Sequence, residues 1–193
     1  SWELIEKDYE GVAFYRYAFD VPKEWQSKIV RLQFDAVNYL SEIWLNDEVV
    51  GYHEGGFTPF EFRVDNMIKT GEENVLILRV VGPIILSDKN INGIKALETP
   101  QWRGGLSGGI WQKVRLVASG ASYIKDVFIE PNIKDNTATF HLTLDHTAIK
   151  RESVEIEIEL TETVNQKNKV AAQRVSIQLQ PGINHQKVQL QIP

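Results

Sequence analysis

The sequence has no cysteine among its 193 residues. Disulfides, thiolate catalysis, zinc ribbons and cysteine-held iron–sulfur clusters are therefore excluded, and thiols give no reading of the redox compartment. Positive charge is also short: 21 Lys+Arg against 26 Asp+Glu leaves −5, with a pI of ≈ 5.4. Binding a phosphate backbone needs clustered cations that release its counterions, so nucleic acid is not an expected partner. Long apolar runs are missing. The longest, residues 75–81, is interrupted by Arg79 and falls short of the roughly 20 residues of a membrane-crossing helix, so no membrane partner is expected. The opening Ser1-Trp2-Glu3-Leu4 has neither Met nor a basic leader region. It reads as a processed or cut chain; the compartment stays open, with periplasm or exterior preferred to cytoplasm.

Helical periodicity is scarce as well. No ten-residue stretch places apolar side chains at i, i+3, i+4 and i+7; a single helical turn is expected at 65–69, with Asp65 as N-cap and Gly71 as the stop. What is present is period two. Val30, Leu32, Phe34 and Ala36 alternate with Arg31, Gln33 and Asp35; Val154, Ile156, Ile158 and Leu160 alternate with Glu155, Glu157 and Glu159. Similar runs occupy 14–21, 39–45, 60–64, 75–81, 111–118, 123–130, 137–144, 175–179 and 188–192. Such alternation marks half-buried strands, and about a dozen of them without a long helix imply an all-β sandwich chain.

Composition changes near residue 120. All five Trp precede it, and Gly182 is the only glycine after Gly120. We therefore expect two domains, 1–120 and 121–193, the first large enough for a jelly roll. The second shows five strand-like runs where a complete immunoglobulin-like sandwich has about seven strands in about 100 residues, so it is expected to lack its last strand.

Several chemistries fail on spacing. His53-Glu54 is not a zinc-protease helix, because Phe57 stands where the second His would be and two glycines follow. Gly104, Gly105, Gly108 and Gly109 match neither a dinucleotide fingerprint nor a P-loop and read as a tight turn into a strand at Trp111. Neither a metal nor a cofactor is expected. Glu155, Glu157 and Glu159 read as a solvated strand face rather than as members of a glycosidase pair. Glu54 and Glu98 are the carboxylates associated with a pocket. His141, His146 and His185 are expected at the surface, and Trp44 and Trp111 in the core, since each lies within an alternating run.

Five elements in order carry a resemblance. They are Phe14-Tyr15-Arg16-Tyr17-Ala18-Phe19, the stretch from Val37 through Trp44-Leu45-Asn46-Asp47 and His53-Glu54-Gly55-Gly56-Phe57-Thr58-Pro59-Phe60, then Gly71-Glu72-Glu73-Asn74-Val75-Leu76, Gly108-Gly109-Ile110-Trp111-Gln112-Lys113-Val114 and Asp126-Val127-Phe128-Ile129-Glu130-Pro131. Together they resemble the N-terminal sugar-binding domain of glycoside hydrolase family 2, the β-galactosidases, β-glucuronidases and β-mannosidases, followed by the start of its immunoglobulin-like domain. The resemblance implies a galactose-binding-domain-like jelly roll, then an immunoglobulin-like β-sandwich, in front of a (β/α)₈ barrel that carries both catalytic Glu residues. No position of this chain matches those two, so no catalytic residue is expected here.

In that family the long loop of this domain reaches toward the sugar pocket. The matching stretch of this sequence gives Glu98, Gln101, Trp102 and Arg103 as the implied carbohydrate-binding residues. Trp102 could stack on a pyranose face and Arg103 offers a fork of donors. The implied partners are a β-glycoside, met through a parent enzyme, and a downstream barrel of the same chain. A free-standing carbohydrate-binding module and a ligand-free structural array are the competing readings.

Overall fold

The computed structural model describes residues 9–95, 97, 108–164 and 168–193. The chain divides into two compact units, Ser1–Ala118 and Ser119–Pro193, both built of strands.

The first unit contains β1 (Val12–Asp20), β2 (Ile29–Phe34), β3 (Val37–Asn38), β4 (Leu40–Leu45), β5 (Glu48–Glu54), β6 (Phe60–Arg63), β7 (Glu73–Val81), β8 (Gly109–Ile110) and β9 (Val114–Ser119), the last crossing the boundary by one residue. One antiparallel sheet runs β1-β7-β4-β5 and a second runs β6-β2-β9; β3 and β8 form a short separate pair. Alternation builds the core directly. Ile43 and Leu45 of β4 and Leu76, Leu78 and Val80 of β7 pack against Val30, Leu32 and Phe34 of β2. The opposite face of the first sheet carries Glu42, whose carboxylate accepts from Arg79 at 2.6 Å across paired positions of β4 and β7. Arg31, expected to face water, is buried instead. It sits on the middle strand of its sheet, and its guanidinium lies 3.9 Å from Glu61 of the neighbouring β6.

Asn46-Asp47 makes the hairpin turn that its composition implies, with φ of 52° and 69°. Asn46 then does more than turn the chain. Its side-chain oxygen accepts the Val75 N–H (3.0 Å), and its amide donates to Met67 O and to Asn74 Oδ1, both at 2.8 Å. The expected helical turn at 65–69 is present as a single turn that is not continued: the Met67 and Ile68 N–H groups both donate to the Val64 carbonyl, at 2.9 and 3.0 Å. It opens at Val64 rather than at Asp65, which is held in a bidentate pair by Arg63 at 2.5 and 2.9 Å, and Gly71 follows with φ of 75°. Among the described residues the helical piece is a 3₁₀ turn at Lys23–Trp25.

The second unit contains β10 (Ser122–Asn132), β11 (Thr137–His146), β12 (Glu152–Thr161), β13 (Lys169–Leu179) and β14 (Gly182–Gln191). A sheet of order β10-β11-β14 and the pair β12-β13 enclose Leu142, Leu144, Ile156, Ile158, Ile177, Leu179, Val188 and Leu190. Glu157 and Glu159 face outward and pair with Arg174 at 3.2 Å and Lys169 at 2.5 Å, the solvated face that the alternation implies. His185 lies on β14 and is exposed, as expected, but one histidine departs from expectation. His146 is fully buried at the end of β11, with Nε2–H donating to the Lys150 carbonyl at 2.8 Å and Nδ1 at 3.0 Å from the Ser122 hydroxyl. That pairing engages both ring nitrogens, which offsets the cost of burying them.

Candidate functional site

One end of the first sandwich is organised around two chain segments that flank residues 98–107. On the near side Ile84 and Leu97 form an antiparallel bridge, with N–H···O distances of 3.1 and 3.0 Å in the two directions. Between them Ile91 and Ile94 close a second small bridge over Asn92 (φ 52°) and Gly93 (φ 89°). This is a hairpin-like turn in a stretch that shows no alternation. The dipeptide Asn92-Gly93 between isoleucines was its available signal. On the far side Gly109–Ile110 pairs with Val37–Asn38, Gly109 taking φ of 88°. Glu98, Gln101, Trp102 and Arg103 lie outside the described residues.

The turn Gly55-Gly56 lies against Asn38. A Cβ on Gly56 would stand 2.5 Å from Asn38 Oδ1, and Asn38 is itself buried, so only glycine allows this approach. The Gly56 carbonyl accepts the Trp111 indole N–H at 2.7 Å, and the Phe57 ring meets the Trp111 ring edge-on at 5.5 Å and 66°. Trp111 is 38% exposed and Phe57 44%. Trp111 is therefore not the core anchor that its sequence position implies. Its residue falls in a break between β8 and β9, where the chain leaves the sheet, and its ring lies on the surface. Trp44 is likewise outside the core cluster, half-buried on the outer face of β4. The Phe57–Trp111 pair offers an amphipathic aromatic surface of the kind that carbohydrates stack on, with the indole N–H already satisfied.

Beneath it, His53 of β5 stacks on Phe60 at 3.9 Å, and Phe60 stacks on the core ring Phe34 at 4.8 Å. His53 Nε2 is enclosed and has no hydrogen-bond partner among the described residues. Desolvation pushes its pKa below the usual imidazole value, opposed by the neighbouring Glu54 carboxylate. Glu54 itself is exposed at the end of β5.

A carboxylate not singled out by its spacing proves to be the buried one. Glu10 is 3% exposed, and its Oε1 accepts the backbone N–H groups of both Ile85 and Leu86. Burial alone would raise its pKa. Hydrogen bonds from the Ser87 side chain and from the Leu86 and Ile85 amides, with the Lys89 charge, outweigh that and hold it below the usual carboxylate range. Lys89 Nζ donates to the Glu10 carbonyl at 2.5 Å and lies 5.5 Å from the centroid of the Tyr9 ring. Among the described residues no group of three or more His, Asp or Glu is arranged to hold a metal ion.

Residues 5–120 match the family model described as glycosyl hydrolases family 2, sugar binding domain. The chain belongs to glycosyl hydrolase family 2. It is 31% identical over 173 residues to a β-galactosidase of Thermoanaerobacter pseudethanolicus, covering 89% of this chain and 22% of that protein. It is 25% identical over 168 residues to a β-galactosidase of Thermoanaerobacterium thermosulfurigenes, covering 84% and 22%. The fold matches a solved family 2 member from Bacteroides cellulosilyticus with a TM-score of 0.74 at 22% identity, over 94% of this chain and 24% of that one. The chain thus spans about a fifth of the length of the curated relatives it matches. Within family 2 it is a sugar-binding-domain sandwich joined to a second all-β unit.

Proposed function

We propose that this chain is the non-catalytic front region of a longer retaining family 2 glycosidase, and that it helps form the wall of a sugar pocket. The observation that carries the reading is the alignment. The family's sugar-binding domain matches residues 5–120, while the chain corresponds to only 22% of a relative named β-galactosidase. In a retaining mechanism one carboxylate attacks the anomeric carbon and a second protonates the leaving oxygen, the two being about 5–5.5 Å apart. Both belong, on the family resemblance, to a downstream barrel. The contribution of this region is to bind and orient. Glu98, Gln101, Trp102 and Arg103 are the side chains we assign to the sugar on the family resemblance. Because both relatives named above are β-galactosidases, a terminal β-galactoside is the substrate that we favour.

The test is to express the complete coding sequence from its native locus beside the 193-residue chain and to assay both on aryl β-galactoside, β-glucuronide and β-mannoside. Hydrolysis by the longer protein only, fastest on the galactoside, is expected. Hydrolysis by the 193-residue chain, or millimolar sugar binding by that chain in titration calorimetry, would overturn the reading in favour of an independent enzyme or lectin.

A further inference from the structure

We propose that the outward face of the β1-β7-β4-β5 sheet is a docking surface, covered by the portion of the same polypeptide that follows Pro193. The inference rests on the longer-protein reading above and gives a role to residues that the sugar site does not use. The longest apolar run of the sequence, residues 75–81, lies in β7. Leu76, Leu78 and Val80 of that run point into the sandwich core. Val75 and Ile77 therefore point outward, since side chains alternate along a strand. A strand that is apolar on both faces has the composition of one that is covered on both.

Register shows what surrounds them. Residues directly opposite in an antiparallel ladder share a face. Phe14, Arg79, Glu42 and Tyr52 stand opposite one another in succession across the four strands, and Arg16, Ile77, Trp44 and Val49 form the next row. Phe14 is 69% exposed, Tyr52 78% and Val49 67%, while Ile77 and Trp44 are half-buried. The Arg79–Glu42 pair at the centre is already made at 2.6 Å, so covering it strands neither charge. Arg16 stands on the edge strand, where a charge stays at the wet rim.

Size selects the occupant. With strands about 4.8 Å apart and about 6.8 Å between same-face residues, the two rows cover on the order of 300 Å². An independent partner, a second copy included, needs roughly 800 Å² on each side. A tethered segment needs less, because its effective concentration is about millimolar and no partner has to be captured from solution. Most of the polypeptide is available for this, since the chain corresponds to 22% of each of the two β-galactosidases it matches.

Hydroxyl-radical footprinting of the full-length protein beside the 193-residue chain, read by mass spectrometry, tests the proposal. Phe14, Trp44 and Tyr52 should oxidise at least about fivefold more slowly in the full-length protein, because the centre of an interface excludes solvent. Phe34, 1% exposed, should stay unreactive in both and so certifies that the shorter chain is folded. Equal rates at the three aromatics overturn the proposal. So does slow oxidation already in the 193-residue chain: the chain then covers its own face or, if dilution restores the rate, a second copy does. If the shorter chain does not fold, Tyr52→Lys in the full-length protein decides. A lowered unfolding midpoint supports docking, since a lysine on a free surface costs little, and an unchanged midpoint overturns it. Aryl glycoside hydrolysis is measured on the same samples. An active full-length enzyme with equal rates at Tyr52 sinks docking and leaves the glycosidase reading standing; an inactive one with Tyr52 protected does the reverse.

Discussion

Asn74 is fully buried, and its amide makes four hydrogen bonds: Oδ1 accepts from Lys69 N–H (2.9 Å) and Asn46 Nδ2 (2.8 Å), and Nδ2 donates to the carbonyls of Lys69 (2.8 Å) and Glu72 (3.0 Å). It thereby joins the β4–β5 turn to the turn before β7. Asn74→Ala removes all four at once. Asn46 keeps its bond to Met67, but the Lys69 N–H and two carbonyls lose this partner. At a net ~1 kcal/mol per bond, and more for each group left buried and unpaired, the loss comes to about 3–5 kcal/mol. That is a large share of the ~5–15 kcal/mol that holds an ordinary domain. Urea unfolding followed by tryptophan fluorescence isolates the effect, since all five Trp precede residue 119 and the signal reports the first unit alone. With a denaturant slope of roughly 1–3 kcal/mol/M, the midpoint should fall by at least about 1 M. A loss below about 1 kcal/mol would show that the network is incidental, and the argument from buried polar satisfaction would be wrong for this turn.

Two further outcomes follow from the site. Gly56→Ala forces a Cβ to within 2.5 Å of Asn38 Oδ1 and displaces the carbonyl that Trp111 binds; we expect a cost of about 2–4 kcal/mol and a shifted Trp111 indole N–H resonance, and an unmoved resonance with unchanged stability would contradict the packing. His53 is pushed toward its neutral form by burial, so the unfolded chain binds more protons as pH falls through about 6.5. The first unit should accordingly lose stability on acidification from pH 7.5 to 5.5, and His53→Asn should flatten that slope; parallel pH profiles for the two proteins would refute it.

Much of the architecture is legible in the chain. Strands announce themselves where one face is buried and the other wet: Ile43 and Leu45 beside Glu42, or Ile156 and Ile158 between glutamates, leave no register but one. The turn at Asn46-Asp47 follows from side chains that tolerate a left-handed backbone. Family membership rests on ordered motifs, which are local by nature. Beyond these, sequence fails where the decision depends on what a distant segment brings. Trp111 alternates like a core residue, yet the chain leaves the sheet there, and its indole turns to the Gly56 carbonyl on another loop. His146 looks like a surface imidazole, because nothing near it in sequence reveals that Ser122 and the Lys150 carbonyl together satisfy its ring. Glu10 has no pattern around it at all; its partners lie 75 and 76 positions away. Period-two hydrophobicity thus determines which face of each strand is buried, since that choice needs only the residue and its neighbours. Which polar groups end up enclosed, and which aromatic rings stay at the surface, is decided only when segments remote in sequence are brought within hydrogen-bonding distance.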